Sequence, residues 1–137
     1  MPNHVRRAEY FYATVDDQPG QAMKVLSALA DLGIDLMAFT TVPTGPAHTQ
    51  VTLFPDSAAK LTAEAARIGL RLDGPHRALL VQGDDELGAL VDLHARIASA
   101  GVNVYASTGV TDGLGRYGYV VYVKPEEFER AADAVGV

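Results

Sequence analysis

The sequence predicts an α+β fold made twice over, on three observations. Residues 16–42 and 84–110 lie on one another at an offset of 68 without a gap. Each copy places one apolar helical stripe after a stretch rich in aromatic and β-branched residues, and each then returns to alternating apolar and polar positions. Eight positions of the overlay are identical: Asp16/Asp84, Asp17/Asp85, Gly20/Gly88, Ala30/Ala98, Gly33/Gly101, Ala38/Ala106, Thr40/Thr108 and Val42/Val110. Most others exchange one apolar residue for another, as at Val25/Leu93, Leu29/Ile97, Ile34/Val102 and Leu36/Val104. A period this long exceeds the roughly 20 to 50 residues of solenoid repeats and points to two small domains, expected at 1–75 and 76–137.

In the first copy, Glu9 to Val15 reads as a strand. The acidic turn Asp16-Asp17 leads to Pro19, a residue favoured at the first helical position. Ala22, Val25, Leu26, Leu29 and Leu32 then recur at helical spacing, and Gly33 stops the helix in a left-handed terminal conformation. Ile34 to Val42 alternates as a strand, P-T-G-P-A turns the chain, and Thr49 to Phe54 returns. Ser57 is the N-cap expected for a second helix marked by Leu61, Ala65 and Ile68, and Leu70 to Asp73 is a short last strand.

The second copy follows with strand Arg77 to Gln82, helix Glu86 to Ala100, strand Val102 to Thr111, turn D-G-L-G, strand Tyr117 to Lys124 and a helix from Pro125 to Val135. The counterpart of the last strand would map past Val137, so one strand edge of this unit needs covering by the other repeat, the N-terminal segment or a partner chain. Helices with a single apolar stripe and strands with mixed faces imply helices on one face of an antiparallel sheet. The predicted class is therefore two ferredoxin-like βαββαβ units in tandem, the second lacking its last strand. The opposite sheet face is expected to carry Tyr10, Tyr12, Met37 and Phe39 in the first copy and Tyr105 in the second. That much apolar surface implies either sheet-on-sheet packing in a dimer or a ligand-stacking surface.

Composition narrows the function. The formal net charge of −6 and the lack of any lysine-rich run weigh against nucleic-acid binding. Zero cysteines removes disulfides, thiolate nucleophiles and cysteine metal sites. No apolar run approaches the roughly 20 residues of a membrane span, and the N-terminus has no signal-like apolar region, so a cytoplasmic protein is expected. His4, His48, His76 and His94 are scattered without metal-ligand spacing. No catalytic constellation is visible, and neither a cofactor nor a metal is expected.

The paired motifs D-D-Q-P-G-Q with L-G-I-D-L, and D-D-E-L-G-A with A-G-V-N-V, resemble the ACT domain, a regulatory module of amino-acid metabolism. The resemblance covers nearly the whole chain as a tandem pair. It implies pairing of units and a free amino acid bound at an ACT-ACT interface, between the loop before the first helix and the start of the second strand. Carried onto this chain, those elements are Asp17, Gln18, Pro19, Gly20 and Gln21 with Asp35, Leu36 and Met37. In the second copy they are Asp85, Glu86, Leu87, Gly88 and Ala89 with Asn103, Val104 and Tyr105.

The residue chemistry agrees: a helix N-terminus offers amide donors to a carboxylate, and a glycine lets a ligand approach the backbone. Asp35 could accept from an α-ammonium, and Asn103 could donate or accept. Glu86 would repel a ligand carboxylate, which favours the first copy's loop. Against this stand local roles: Asp16, Asp17, Asp84 and Asp85 as helix caps, and the glycines as turn formers.

The expected function is a non-enzymatic regulatory protein binding a small metabolite, most simply a free amino acid, acting as a homodimer and passing its output to a separate target protein. The alternative is a dimerisation or protein-interaction module without ligand. Less favoured are a small ferredoxin-like enzyme and an RNA-binding protein, the latter suggested by the aromatic run Arg116 to Tyr122.

Overall fold

The computed structural model describes residues 4–137. They form two compact units, Glu9–His76 and the segment Arg77–Val137 joined by residues before Glu9. In the first unit, β1 (His4–Asp16), α1 (Gln21–Asp31), β2 (Leu36–Pro43), β3 (His48–Pro55), α2 (Ala58–Arg67) and the opening residues of β4 (Asp73–Asp84) follow in order. The strands lie β2-β3-β1-β4, with Phe11 opposite Leu53 and Leu53 opposite Phe39 in antiparallel ladders. Odd-numbered residues of β1 and β3 face the helices, where Phe11, Val51 and Leu53 enclose a core with Val25, Leu29, Leu61 and Ala65. Alternation in strands and 3.6-residue spacing in helices dictate that arrangement.

In the second unit, β4 continues into α3 (Val91–Ser99), β5 (Ala106–Thr111), β6 (Arg116–Tyr122), a 3₁₀ turn at Pro125–Glu127 and α4 (Phe128–Ala134). The strands lie β1-β4-β6-β5, and Leu79, Val81, Tyr119 and Val121 pack beneath Leu93, Ile97 and Phe128. Both units are thus antiparallel sheets with helices on one face.

The strand edge of the second unit that was expected to need covering meets the N-terminal segment. His4–Ala8, the start of β1, belongs to this unit, and Val5 packs against its core. Arg7 secures it, donating to Glu129 at 3.0 Å and to the Val137 carbonyl at 3.0 Å, while Arg77 also pairs with Glu129. The two guanidiniums stand over the Phe128 ring at 5.7 and 4.3 Å.

Hydrogen bonds from Arg7 and then Arg77 hold the Glu129 carboxyl below its ordinary value. A carboxylate depressed in the folded state stabilises it above the unfolded value, about pH 4.3, and loses that contribution as pH falls through the folded value. Glu129→Gln should therefore flatten the acid limb of the stability profile, read by urea unfolding across a pH series. The gain is small, because all three groups are exposed.

Several sequence expectations are corrected in detail. Leu70 to Asp73 is not a separate strand: Leu70 and Leu72 pack against the first core before β4 begins at Asp73 and runs unbroken to Asp84. His76 lies in β4, and His48 opens β3. Neither α1 nor α3 receives a side-chain cap, and Pro19 stands before the N-cap Gly20 rather than in the first turn. Asp16 and Asp84 end strands instead, facing His48 at 3.7 Å and Arg116 at 2.9 Å, which are themselves 68 positions apart. Ser57 does cap α2, its hydroxyl accepting from the Lys60 amide at 3.2 Å.

Phe39 is also displaced from its expected face. A bulge between Leu36 and Ala38 spends one residue out of register, so Phe39 falls opposite Leu53 and packs on the helix side. The other face retains Tyr10 stacked on Phe54 at 5.0 Å, Tyr12 edge-on to Tyr10 at 5.3 Å, and His76 within 5.4 Å of both tyrosines. Tyr10 and Phe54 are already buried within the single chain. In the second copy Val102 to Tyr105 precedes β5 rather than joining it, and Tyr105 is exposed.

Candidate functional site

The two loops that precede the first helix of each repeat are built alike. The Asp17 amide donates to the Ala47 carbonyl and the Asp85 amide to the Gly115 carbonyl, which ties each loop to the turn between the following two strands. The Gln21 amide donates to the Gln18 carbonyl, as the Ala89 amide does to that of Glu86. Gly20 and Gly88 both hold positive φ, 86° and 74°, and the added Cβ at Gly20 would meet nothing. Their requirement is therefore backbone conformation, with space left over the loop.

Asp17, Gln18, Pro19 and Gly20 are exposed, and Gln21 opens α1. Asp35 turns its carboxylate onto the Leu36 amide at 2.9 Å, while Leu36 packs on the core and Met37 sits in the bulge. In the second copy Asp85, Glu86, Leu87 and Gly88 are exposed, Ala89 and Val104 pack on the core, and Asn103 is exposed. Within each unit the loop lies at the N-terminal end of the helix and the strand-start residues at its C-terminal end. Helices of 11 and 9 residues separate those halves by about 14 to 16 Å at 1.5 Å per residue. No single unit brings them together.

What the structure does assemble is a groove of about 530 Å³ at the second copy's loop. Asp85, Glu86, Gly88 and Ala89 form one wall with Leu90 and Val91, and Gly109, Val110, Thr111, Tyr117 and Tyr119 contribute the other. The sequence favours the first loop, and the two copies differ at one strand pair beside this groove. Gly109 stands opposite Tyr119, and a Cβ on it would come within 2.8 Å of the ring. The corresponding first-copy pair is Thr41 opposite Val51, a larger residue against a smaller one. The Tyr119 hydroxyl reaches His94 Nε2 at 2.7 Å, on the helix position where the first copy has Leu26.

His94 is thus engaged by a tyrosine beside the groove, a half-buried structural contact. Burial pushes the Tyr117 hydroxyl up, with Arg116 opposing. Tyr117 and Tyr119 are buried in the core, so β6 does not present them as a platform for stacked bases. Among the described residues no group of His, Asp and Glu is arranged to hold a metal, and no helix is long and apolar enough to cross a membrane.

The groove offers apolar groups, two tyrosines and the acidic residues Asp85 and Glu86. That chemistry suits reversible binding of a small molecule with an apolar part. Gly109, Tyr117 and Tyr119 were not singled out as site residues by the loop motifs. The signal for two of them lies in the offset of 68, which sets Gly109 against Thr41 and Tyr119 against Val51.

No protein-family model and no curated protein matches the sequence. Solved structures do match in fold. A protein from Bacteroides thetaiotaomicron superposes with a TM-score of 0.80 at 11% identity, covering 96% of this chain and 88% of that one. The regulatory subunit of aspartate kinase from Thermus thermophilus, in its ligand-free form, gives 0.62 at 23% identity, covering 97% and 93%. The corresponding subunit from Thermus flavus gives 0.58 at 21% identity, covering 98% and 95%.

Proposed function

We propose that this chain, whose fold is that of tandem ACT-type regulatory domains, is a non-catalytic regulatory protein that binds a small metabolite, with a free amino acid or close relative as the first candidate. The observation that carries this reading is the groove between the Asp85–Val91 loop and β5, which Gly109, Tyr117 and Tyr119 also line. Support also comes from fold neighbours that are regulatory subunits rather than catalytic ones. The strand-start residues Asp35–Met37 and Asn103–Tyr105 would complete such a site from another copy of the chain, in a homodimer. Regulation then follows if the ligand binds one packing of the copies more tightly than another.

A thermal-shift series against the twenty amino acids tests the reading, since a ligand at 100 times its dissociation constant stabilises by about 2.7 kcal/mol. Gly109→Thr should abolish the response, because the new side chain meets the Tyr119 ring. Alone it should also cost about 1–3 kcal/mol through overpacking. The double variant Gly109→Thr with Tyr119→Val recreates the first-copy pair of Thr41 and Val51, relieves that clash, and should remain unresponsive because the groove has lost its Tyr119 wall. A ligand response that persists in the double variant would remove the groove from the site. No response to any amino acid in the unmodified chain would leave the interaction-module reading in its place.

A further inference from the structure

We infer that the ligand of the groove beside loop 85–91 is a primary amine with an apolar or aromatic body and no carboxylate, an inference that rests on the proposed binding role of that groove. Among the described residues that line it there is no lysine, arginine or histidine. Asp85 and Glu86 belong to the lining, and both are exposed. Arg116, at the start of β6, is engaged by Asp84 at 2.9 Å.

Charge decides which end of a ligand this loop accepts. A helix N-terminus attracts anions with the equivalent of about half a positive charge. α3 already carries Asp92 in its first turn, and the loop before it brings Asp85 and Glu86, so full negative charges outweigh the partial positive one. A ligand carboxylate placed here meets repulsion, and an ammonium meets attraction. α1 differs: its first turn has no acidic residue, and Gln18 stands where the second copy has Glu86. A second copy of the chain keeps the balance negative. The segments it would lend to the site, 35–37 or 103–105, contain no base, and Asp35 adds a further carboxylate.

The body of the ligand is indicated by the same repeat. Tyr117 and Tyr119 line the groove at positions where the first copy has Thr49 and Val51. Aromatic rings serve both parts of such a molecule, since they cover an apolar body and their faces attract a cation. The acid at position 86 and the two rings are all particular to the second copy. A groove of about 530 Å³ has room for an aromatic amine.

Isothermal titration calorimetry with the intact chain tests this on three matched probes: phenethylamine, phenylalanine and phenylpropionate, which share a ring and differ in their charged ends. The amine is expected to bind most tightly, phenylalanine about tenfold more weakly, and the acid not at all. Raised salt should weaken the amine. Glu86→Gln installs the first copy's residue at an exposed position, and circular dichroism should show it folded. It should cost the amine about tenfold in affinity and narrow its lead over phenylalanine. Phenylalanine binding as tightly as the amine, or an amine affinity indifferent to Glu86→Gln, would overturn the inference and leave the groove as an amino-acid site. No binding of the amine would overturn it too, while a response to any amino acid would still uphold the wider reading. Amine binding unchanged by Gly109→Thr would overturn both, because the groove would then not be the site.

Discussion

Replacing Phe128 with alanine should cost about 3–5 kcal/mol, the upper range for a buried aromatic. Phe128 is 1% exposed and opens α4, where it belongs to the core of the second unit with Leu79, Ile97 and Val121. Its removal leaves a cavity and also strips the surface over which the Arg77 and Arg7 guanidiniums lie. Because Arg7 and Glu129 tie the opening of β1 to α4, the same change should loosen His4–Ala8. Urea unfolding measures the first effect. Hydrogen exchange at β1 measures the second, with protection expected to fall at residues 4–8 more than at residues 9–16.

The second large effect is expected at Gly74. Its φ of +141° is a conformation that L side chains rarely adopt, and a Cβ there would lie 2.8 Å from the Tyr10 carbonyl oxygen and 3.0 Å from the Phe11 ring. The contact is to backbone, which cannot swing aside as a side-chain tip can. Gly74→Ala should therefore cost about 2–4 kcal/mol, combining backbone strain with overpacking. Gly69→Ala is the control, because Gly69 also has positive φ but its added Cβ meets nothing. It should cost only about 1–2 kcal/mol, the intrinsic penalty of a left-handed residue. Equal losses at the two positions, measured by equilibrium unfolding, would show that the Tyr10 contact contributes nothing.

Helices and turns were the most legible features because their signals are local. Ser57 caps α2, and Gly33 and Gly101 take positive φ just past α1 and α3. The turn glycines Gly45 and Gly113 extend the offset of 68 beyond its identical core, both with positive φ. Phe39 was not legible: a bulge reverses the parity of a strand without any residue type that announces it. The groove was half legible. Its loop carries the motif, but its other wall includes Gly109 and Tyr119, a pair joined only by strand register.

By itself the sequence determined the duplication, the α+β class and most of the order of elements, since these follow from periodicity and from one copy read against the other. Only the tertiary structure decided which segment joins the second unit and which residues line the groove at the second copy's loop. Both depend on contacts between residues far apart in the chain: Arg7 with Glu129, Asp85 with Gly115, and Gly109 with Tyr119. Such contacts are selected by whichever packing buries apolar surface and pairs backbone groups together, and no local pattern encodes that choice.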